Sequence, residues 1–130
     1  MEEEAGFDFE KLIVYQKSLD LIDQVYSLTG GFPSHEKFNV TDQFRRAATS
    51  IALNIAEGSA GTKKEFASFL RISNRSVREC VVCLSIALIQ KYINKDKERE
   101  LRSVLIRISK MNNGLRRSIS ETPRTLNQKP

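Results

Sequence analysis

The chain has 130 residues with three Pro, six Gly and no Trp, and its formal net charge is +5. A chain of this length forms one domain with a core of moderate size, which we expect over residues 1–120, before a flexible tail at 121–130. No apolar run is long enough to cross a bilayer and the acidic start does not resemble a signal peptide, so the sequence predicts a cytoplasmic protein without a membrane role.

Charge is distributed unevenly along the chain. Residues 1–29 hold two cations and seven anions, whereas residues 62–130 hold sixteen cations and six anions, a net charge of +10. This asymmetry favours an acidic partner for the second half. Since charge governs association rather than fold, a basic surface that is simply solvated remains the alternative.

The first predicted helix spans residues 9–28, with Asp8 as its N-cap. Two apolar lines run along it, and we expect the longer one to face the core. That line alternates by three and four: Leu12, Tyr15, Leu19, Ile22 and Tyr26. The second line lies beside it: Val14, Leu21, Val25 and Leu28.

The second predicted helix follows Asn39, which resembles a capping box together with Asp42, and Gly58 is expected to end it in the left-handed conformation. Its core stripe has helical spacing: Phe44, Ala48, Ile51 and Ile55. Polar residues recur along the edge of that stripe, and we call them the polar ladder: Gln43, Ser50, Asn54 and Glu57. Such groups are hydrogen-bonded within the fold or used by a partner.

The third predicted helix begins at a capping box, Thr62-Lys63-Lys64-Glu65, and extends to about residue 92. Its core stripe is Phe66, Leu70, Ser73, Val77, Cys80, Leu84 and Ala87. On the opposite side the first half presents cations within about 60° of one another, the basic line: Lys64, Arg71, Arg75 and Arg78. The second half presents the outer apolar stripe: Val82, Ile86, Ile89 and Ile93.

The outer apolar stripe predicts an oligomer. A helix with apolar residues on nearly every side is expected to be buried on every side. A second copy of the chain would provide that burial, since soluble oligomers are mostly symmetric assemblies of identical chains. A central third helix, or one covered by the fourth helix and the tail, remains the alternative. A membrane surface is disfavoured because Lys91 is the only cation between Arg78 and Lys95.

The fourth predicted helix spans residues 95–119, is capped by Asn94, and widens the basic surface. Its inward residues are Leu101, Leu105, Ile108 and Leu115, and its outward cations are Arg99, Arg102, Lys110 and Arg117. Arginine binds phosphate through a fork of donors, and few aromatic residues lie among these cations. The pattern therefore predicts nucleic-acid binding by shape and charge, with solvated side chains as the alternative.

Four amphipathic helices with short connections predict an all-α fold, an antiparallel up-down-up-down four-helix bundle. Residues for catalysis are missing from the pattern. Cys80-x-x-Cys83 lies in mid-helix without a second ligand pair, which favours two buried thiols over a metal or redox site. The single histidine, His35, lies in a loop with no nucleophile evident. We expect no enzyme, metal, cofactor or small-molecule substrate.

The run Gln43…Arg46-Ala47…Ser50…Asn54-Ile55-Ala56-Glu57-Gly58 resembles the signature of the bacterial 23S rRNA intervening-sequence protein family. Flanking matches are Leu12…Val14-Tyr15-Gln16-Lys17-Ser18, Phe32-Pro33…Glu36 and Lys64-Glu65-Phe66…Phe69-Leu70. The resemblance implies a four-helix bundle that assembles as a ring, a pentamer in the accessory protein of diversity-generating retroelements. It also implies association with ribosomal RNA insertions or with a reverse transcriptase.

These observations lead to one hypothesis and a rival. The first is a homo-oligomeric accessory protein that binds RNA or an RNA–protein assembly through its basic helix faces. The rival is a protein–protein interaction scaffold whose cations have no direct nucleic-acid role.

Overall fold

The computed structural model describes the backbone of residues 6–127 and the side chains of residues 6–120. It contains four α-helices, α1 (Ile13–Thr29), α2 (Val40–Ser59), α3 (Lys63–Ile89) and α4 (Lys95–Asn127), and two short 3₁₀ turns, Asp8–Lys11 and Ser34–Glu36. No strand occurs among the described residues, so the predicted all-α fold with four helices is confirmed. The fourth helix was predicted to end at residue 119, whereas the backbone of α4 continues to Asn127, into the predicted tail; residues 128–130 lie outside the described residues.

Hydrogen bonds between helices fix their directions. Arg45, near the start of α2, donates from Nε to Oγ1 of Thr29 at the end of α1, at 2.8 Å. The end of α2 lies against the start of α3 at Gly58, which approaches Phe69. Helices α3 and α4 run in opposite directions, because Arg102 near the start of α4 donates to Ser85 near the end of α3, and Asn112 farther along α4 donates to Ser73. Helix α1 packs on α4. The four helices therefore form a closed antiparallel bundle.

The core is built from the stripes predicted for α2 and α3. All four members of the α2 stripe have 0% exposure. The α3 stripe is buried from Leu70 to Ala87, with Phe66 half-buried at its start. Helix α4 adds Leu101, Leu105 and Ile108. These predictions are confirmed.

The predicted core face of α1 is confirmed only in part. Leu19 and Tyr26 are 45% and 46% exposed, whereas Leu21 and Val25 of the second line are fully buried. Ser18 continues that line because its Oγ donates to the Val14 carbonyl at 2.7 Å, which leaves no buried donor unpaired. Leu12, Tyr15 and Ile22 of the longer line are half-buried against the core, so only Leu19 and Tyr26 of that line lie on the outside of the bundle.

Helix starts differ in how they are capped. Asp8 begins a 3₁₀ turn, so it is not the N-cap of α1. Asn39 makes no side-chain cap bond, and Asp42 instead accepts from Arg46 Nε at 2.8 Å. The capping box of α3 is confirmed: Glu65 N donates to Thr62 Oγ1 at 3.1 Å, and Thr62 N donates to Glu65 Oε1 at 2.8 Å.

Gly58 has a different role from the one predicted. It lies inside α2, and no described glycine has positive φ. A Cβ at this position would lie 2.5 Å from the Cβ of Phe69 and 3.1 Å from a ring carbon of Phe66. Glycine is therefore required for the close packing of α2 on α3.

Candidate functional surfaces

The basic line occupies the exposed side of the first half of α3. Its four residues are exposed, and none forms an ion pair within the described part of the chain. The capping box fixes the first turn and with it the position of Lys64. Because Arg71, Arg75 and Arg78 follow at helical spacing on a rigid rod, their guanidinium groups form a row of positive charge free to meet phosphate oxygens.

The outer apolar stripe continues the same side of α3 but is shorter than predicted. Val82, Ile86 and Ile89 are exposed, by 58%, 37% and 73%. Ile93 is instead half-buried against the core, so its place in the stripe is corrected. The reason is that α3 ends at Ile89 and Lys91 takes a φ of 66°, which turns the following residues inward.

The polar ladder divides into an inner and an outer pair. Ser50 Oγ accepts from Ser76 Oγ at 2.8 Å and from Asn54 Nδ2 at 2.9 Å, which joins α2 to α3. Gln43 and Glu57 are exposed and make no side-chain hydrogen bond to another described residue. The ladder therefore stabilises the fold at its centre and leaves polar groups free at its ends.

A groove of about 450 Å³ lies between α2 and α3 beside the ladder. It is lined by Gln43, Arg46, Ala47, Ser50, Glu79, Val82 and Cys83. The groove joins an end of the polar ladder to the outer apolar stripe through Val82. It holds no cluster of catalytic side chains, and its mixed lining suits a protein surface.

The cations of α4 have unequal roles. Lys110 and Arg117 are exposed, and Arg99 faces Asp96 at 3.4 Å with both side chains largely in solvent. Arg102 differs because its Nε lies 2.6 Å from Oε2 of Glu98, which is only 8% exposed. Removing this guanidinium would leave a buried carboxylate without its cation, so Arg102 serves the fold and is corrected out of the predicted basic surface.

Sequence reasoning missed some surface residues. Arg107 lies one turn before Lys110, and both line a concavity of about 400 Å³. Arg107 could have been found from the sequence, because its spacing of three residues from Lys110 places both on the same face of a helix. Leu53 on α2 is 63% exposed among polar neighbours. A single leucine on a polar face gives no periodic signal, so only the structure reveals it.

The two cysteines are free and buried. Burial raises the pKa of the Cys83 thiol to about 11, with a smaller contribution from the Glu79 charge, and burial raises the pKa of Cys80 further. The described residues contain no group of three or more His, Cys, Asp or Glu side chains arranged to hold a metal ion. Among the described helices, none has the length and apolar character needed to span a membrane.

The fold and these surfaces define a class: small antiparallel four-helix bundles that expose basic and apolar helix faces. The 23S rRNA-intervening sequence protein family matches residues 10–114, so the chain belongs to that family. This confirms the resemblance seen in the sequence.

A solved structure supports the same fold. It is a protein of unknown function from the S23 ribosomal protein family of Bacteroides thetaiotaomicron, 22% identical to this chain. The match has a TM-score of 0.75 and covers 81% of this chain and 96% of that one. No curated protein gives a significant match.

Proposed function

We propose that the chain is a non-enzymatic, cytoplasmic, homo-oligomeric accessory protein that binds RNA, alone or within an RNA–protein assembly. The observation that carries the proposal is the basic line: exposed cations without described counter-ions on one rigid helix. The intervening-sequence family supports RNA as the acidic partner.

The binding surface consists of solvent-exposed cations. These are Lys64, Arg71, Arg75 and Arg78 on α3, with Arg99, Arg107, Lys110 and Arg117 on α4. Neutralising several phosphates releases counter-ions, so affinity falls steeply as salt is added. Among the described residues, cation–ring contacts involve Lys37 and Arg45 and none of these cations, so contacts to the RNA backbone dominate over base stacking.

The oligomer rests on a second observation, the exposed Val82, Ile86 and Ile89 on the same helix. A closed ring presents several copies of the basic line to one RNA, which converts weak single sites into tight binding. We propose five copies, as the family resemblance implies. Light scattering at several chain concentrations measures that number.

Filter binding of a structured RNA at two salt concentrations tests the proposal. The wild-type chain is expected to retain RNA at low salt, and the triple variant Lys64→Glu, Arg71→Glu and Arg75→Glu to lose most of that retention. The matched control is Lys17→Glu, Lys37→Glu and Lys91→Glu, which changes net charge equally away from the basic line. Equal retention by both variants would show that only total charge matters.

The rival function, a protein-interaction scaffold, is favoured by the exposed apolar side chains on α1 and α2, among them Leu53. It predicts capture of a protein partner that persists at high salt. It also predicts that the triple variant of the basic line binds that partner as well as the wild type does. Absence of RNA retention by the wild-type oligomer at low salt would remove the RNA proposal and leave the scaffold.

A further inference from the structure

A polar contact joins α3 to α4 where the two helices meet the solvent. Asn74 Nδ2 donates to Asn113 Oδ1 at 2.9 Å, and both side chains are half-buried. The residue before each of them, Ser73 on α3 and Asn112 on α4, is fully buried. The core therefore lies on one side of this hydrogen bond and solvent on the other. We call Asn74 and Asn113 the α3/α4 seam.

Four cations surround the seam. On each helix one cation lies three residues before the asparagine and one lies four residues after it, within about 60° of it. Because the helices are antiparallel, the cations form two level pairs about 10 Å apart along the axes. These pairs, the cation quartet, are Arg71 with Arg117 and Arg78 with Lys110. All four side chains are exposed, and none forms an ion pair among the described residues.

The helix segments that carry the quartet contain no carboxylate. Residues 66–78 of α3 hold three cations and residues 101–120 of α4 hold five, with no Asp or Glu in either segment. Glu79 follows Arg78 in the sequence, but it lines the groove between α2 and α3 and so lies toward another side of the helix. The surface around the seam is therefore complementary to a polyanion.

The surface suits two nucleic-acid backbones rather than one unpaired strand. It has one row of cations on each helix, and the axes of packed helices lie about 8–10 Å apart. Proteins that bind single strands add aromatic side chains on which bases stack. The sequence of α4 has no aromatic residue, and both aromatic residues of α3, Phe66 and Phe69, are half-buried beside Gly58. Duplex RNA is instead recognised through phosphates and 2′-hydroxyls across its minor groove.

Asn113 provides a hydrogen-bond donor between the two rows of cations. Its Oδ1 accepts from Asn74 Nδ2 and from Arg116 Nη1, the latter at 2.8 Å, and these two bonds fix the orientation of the amide. Its Nδ2 makes no hydrogen bond to another described residue. An amide N–H donates readily to a hydroxyl oxygen, and the 2′-hydroxyl is the group that distinguishes RNA from DNA.

We propose that the cation quartet and the α3/α4 seam bind the minor groove of double-stranded RNA, with one row of cations on each strand and Asn113 donating to a 2′-hydroxyl. The inference rests on the proposed RNA binding and specifies the kind of RNA. Lys64 and Arg75 lie on the same side of α3 as Arg71, so they extend the row that follows one strand.

Three probes of one sequence and length test the kind of nucleic acid: an RNA duplex, one of its strands without internal pairing, and the corresponding DNA duplex. Filter binding at low salt is expected to show that the wild-type chain binds the RNA duplex at least about 10-fold more tightly than either other probe. Equal or tighter binding of the single strand would overturn the duplex assignment and leave RNA binding intact. Retention of neither RNA probe would overturn the proposed function itself.

Charge reversal on α4 tests the second row. Lys110→Glu with Arg117→Glu is expected to weaken binding of the RNA duplex at least about 10-fold and to lower the magnitude of its salt slope by about 1.5. The matched control is Lys37→Glu with Lys91→Glu, the same change of charge on exposed residues outside α3 and α4. Circular dichroism and light scattering check that fold and mass are unchanged. Equal affinities for the two variants would show that α4 does not contact the duplex.

Asn113→Asp tests the donor at the seam. The aspartate keeps the acceptor that Asn74 and Arg116 use but has no N–H, and its charge weakens binding of both duplexes alike. The preference for the RNA duplex over the DNA duplex is therefore expected to fall about 3-fold or more. An unchanged ratio of the two affinities would show that Asn113 only holds α3 against α4 and would overturn its contact with the 2′-hydroxyl.

Discussion

At Gly58 the absence of a side chain lets α2 lie against Phe69 of α3. Alanine is the better helix former by about 1 kcal/mol, yet its Cβ would enter space that Phe69 occupies. We expect Gly58→Ala to lower the free energy of unfolding by about 1–3 kcal/mol because a packed helix contact must shift. Urea denaturation at one fixed chain concentration measures this change.

Gly114→Ala is the matched control. Gly114 lies within α4, and a Cβ at this position would have Arg117 Nη2 as its nearest neighbour, at 3.9 Å. The same substitution is therefore expected to raise the free energy of unfolding by about 0.5–1 kcal/mol. Stabilisation at both positions would contradict the close approach at Gly58.

The buried thiols make the free energy of unfolding depend on pH in the alkaline range. Burial raises the pKa of Cys83 from 9.0 to about 11, and the hydrogen bond from Tyr92 Oη to Glu36 raises the pKa of Tyr92. Above pH 9 the unfolded thiol loses its proton while the folded thiol keeps it, so stability present below pH 9 is lost between pH 9 and 11. Denaturation midpoints across this range are expected to fall.

The double variant Cys80→Ala and Cys83→Ala isolates the thiols. It is less stable at pH 7 because large-to-small changes leave cavities, but its midpoint is expected to fall less steeply between pH 9 and 11. Parallel pH profiles for the variant and the wild type would show that the thiols ionise equally in both states.

Buried hydroxyl side chains explain why the core face of α1 was not fully predicted from the sequence. Counting apolar residues favoured the line through Leu19 and Tyr26, because serine and threonine count as polar. Thr29 nevertheless extends the buried line, since its Oγ1 donates to the Val25 carbonyl at 2.7 Å. A hydroxyl that satisfies itself on its own helix is compatible with the core, and hydropathy does not register that.

At the scale of elements, two helix starts that look alike in sequence behave differently. Thr62 caps α3 through a reciprocal pair of bonds, whereas Asn39 precedes α2 without a side-chain cap. We expect Thr62→Ala to lower the free energy of unfolding by about 1 kcal/mol, and Asn39→Ala to change it by less than about 0.5 kcal/mol. Urea denaturation of both variants gives the comparison, and equal losses would show that Asn39 caps α2 in solution.

The end of α3 explains why Ile93 was placed on the wrong face. Lys91 has a φ of 66°, and Tyr92 N donates to the Ala87 carbonyl at 2.9 Å, which closes the helix with a Schellman motif. That position usually holds glycine, so a lysine there gives no stop signal. The periodicity continued in the sequence while the helix itself had ended.

At the scale of the molecule, the bundle was predictable because its core repeats with helical period in α2, α3 and α4. The surfaces were less predictable because exposure depends on which neighbour covers each face. Arg102 shows this: it has the spacing of a surface cation, yet it neutralises Glu98 at 2.6 Å. The basic line was found because four cations share one side of a single helix, which needs no tertiary information.

The whole assembly sets the expected strength of RNA binding. Ile86→Asp keeps every cation but presents one basic line per particle, so it is expected to bind RNA at least about 100-fold more weakly than the wild type. The magnitude of its slope of log affinity against log salt is expected to be about 3 or more, from about 0.7 for each of the four cations of the basic line, and the wild-type slope is steeper. Ile13→Asp adds the same charge without dissociating the oligomer and keeps the wild-type slope. If Ile86→Asp and Ile13→Asp matched in affinity and slope, single copies would be sufficient to bind RNA.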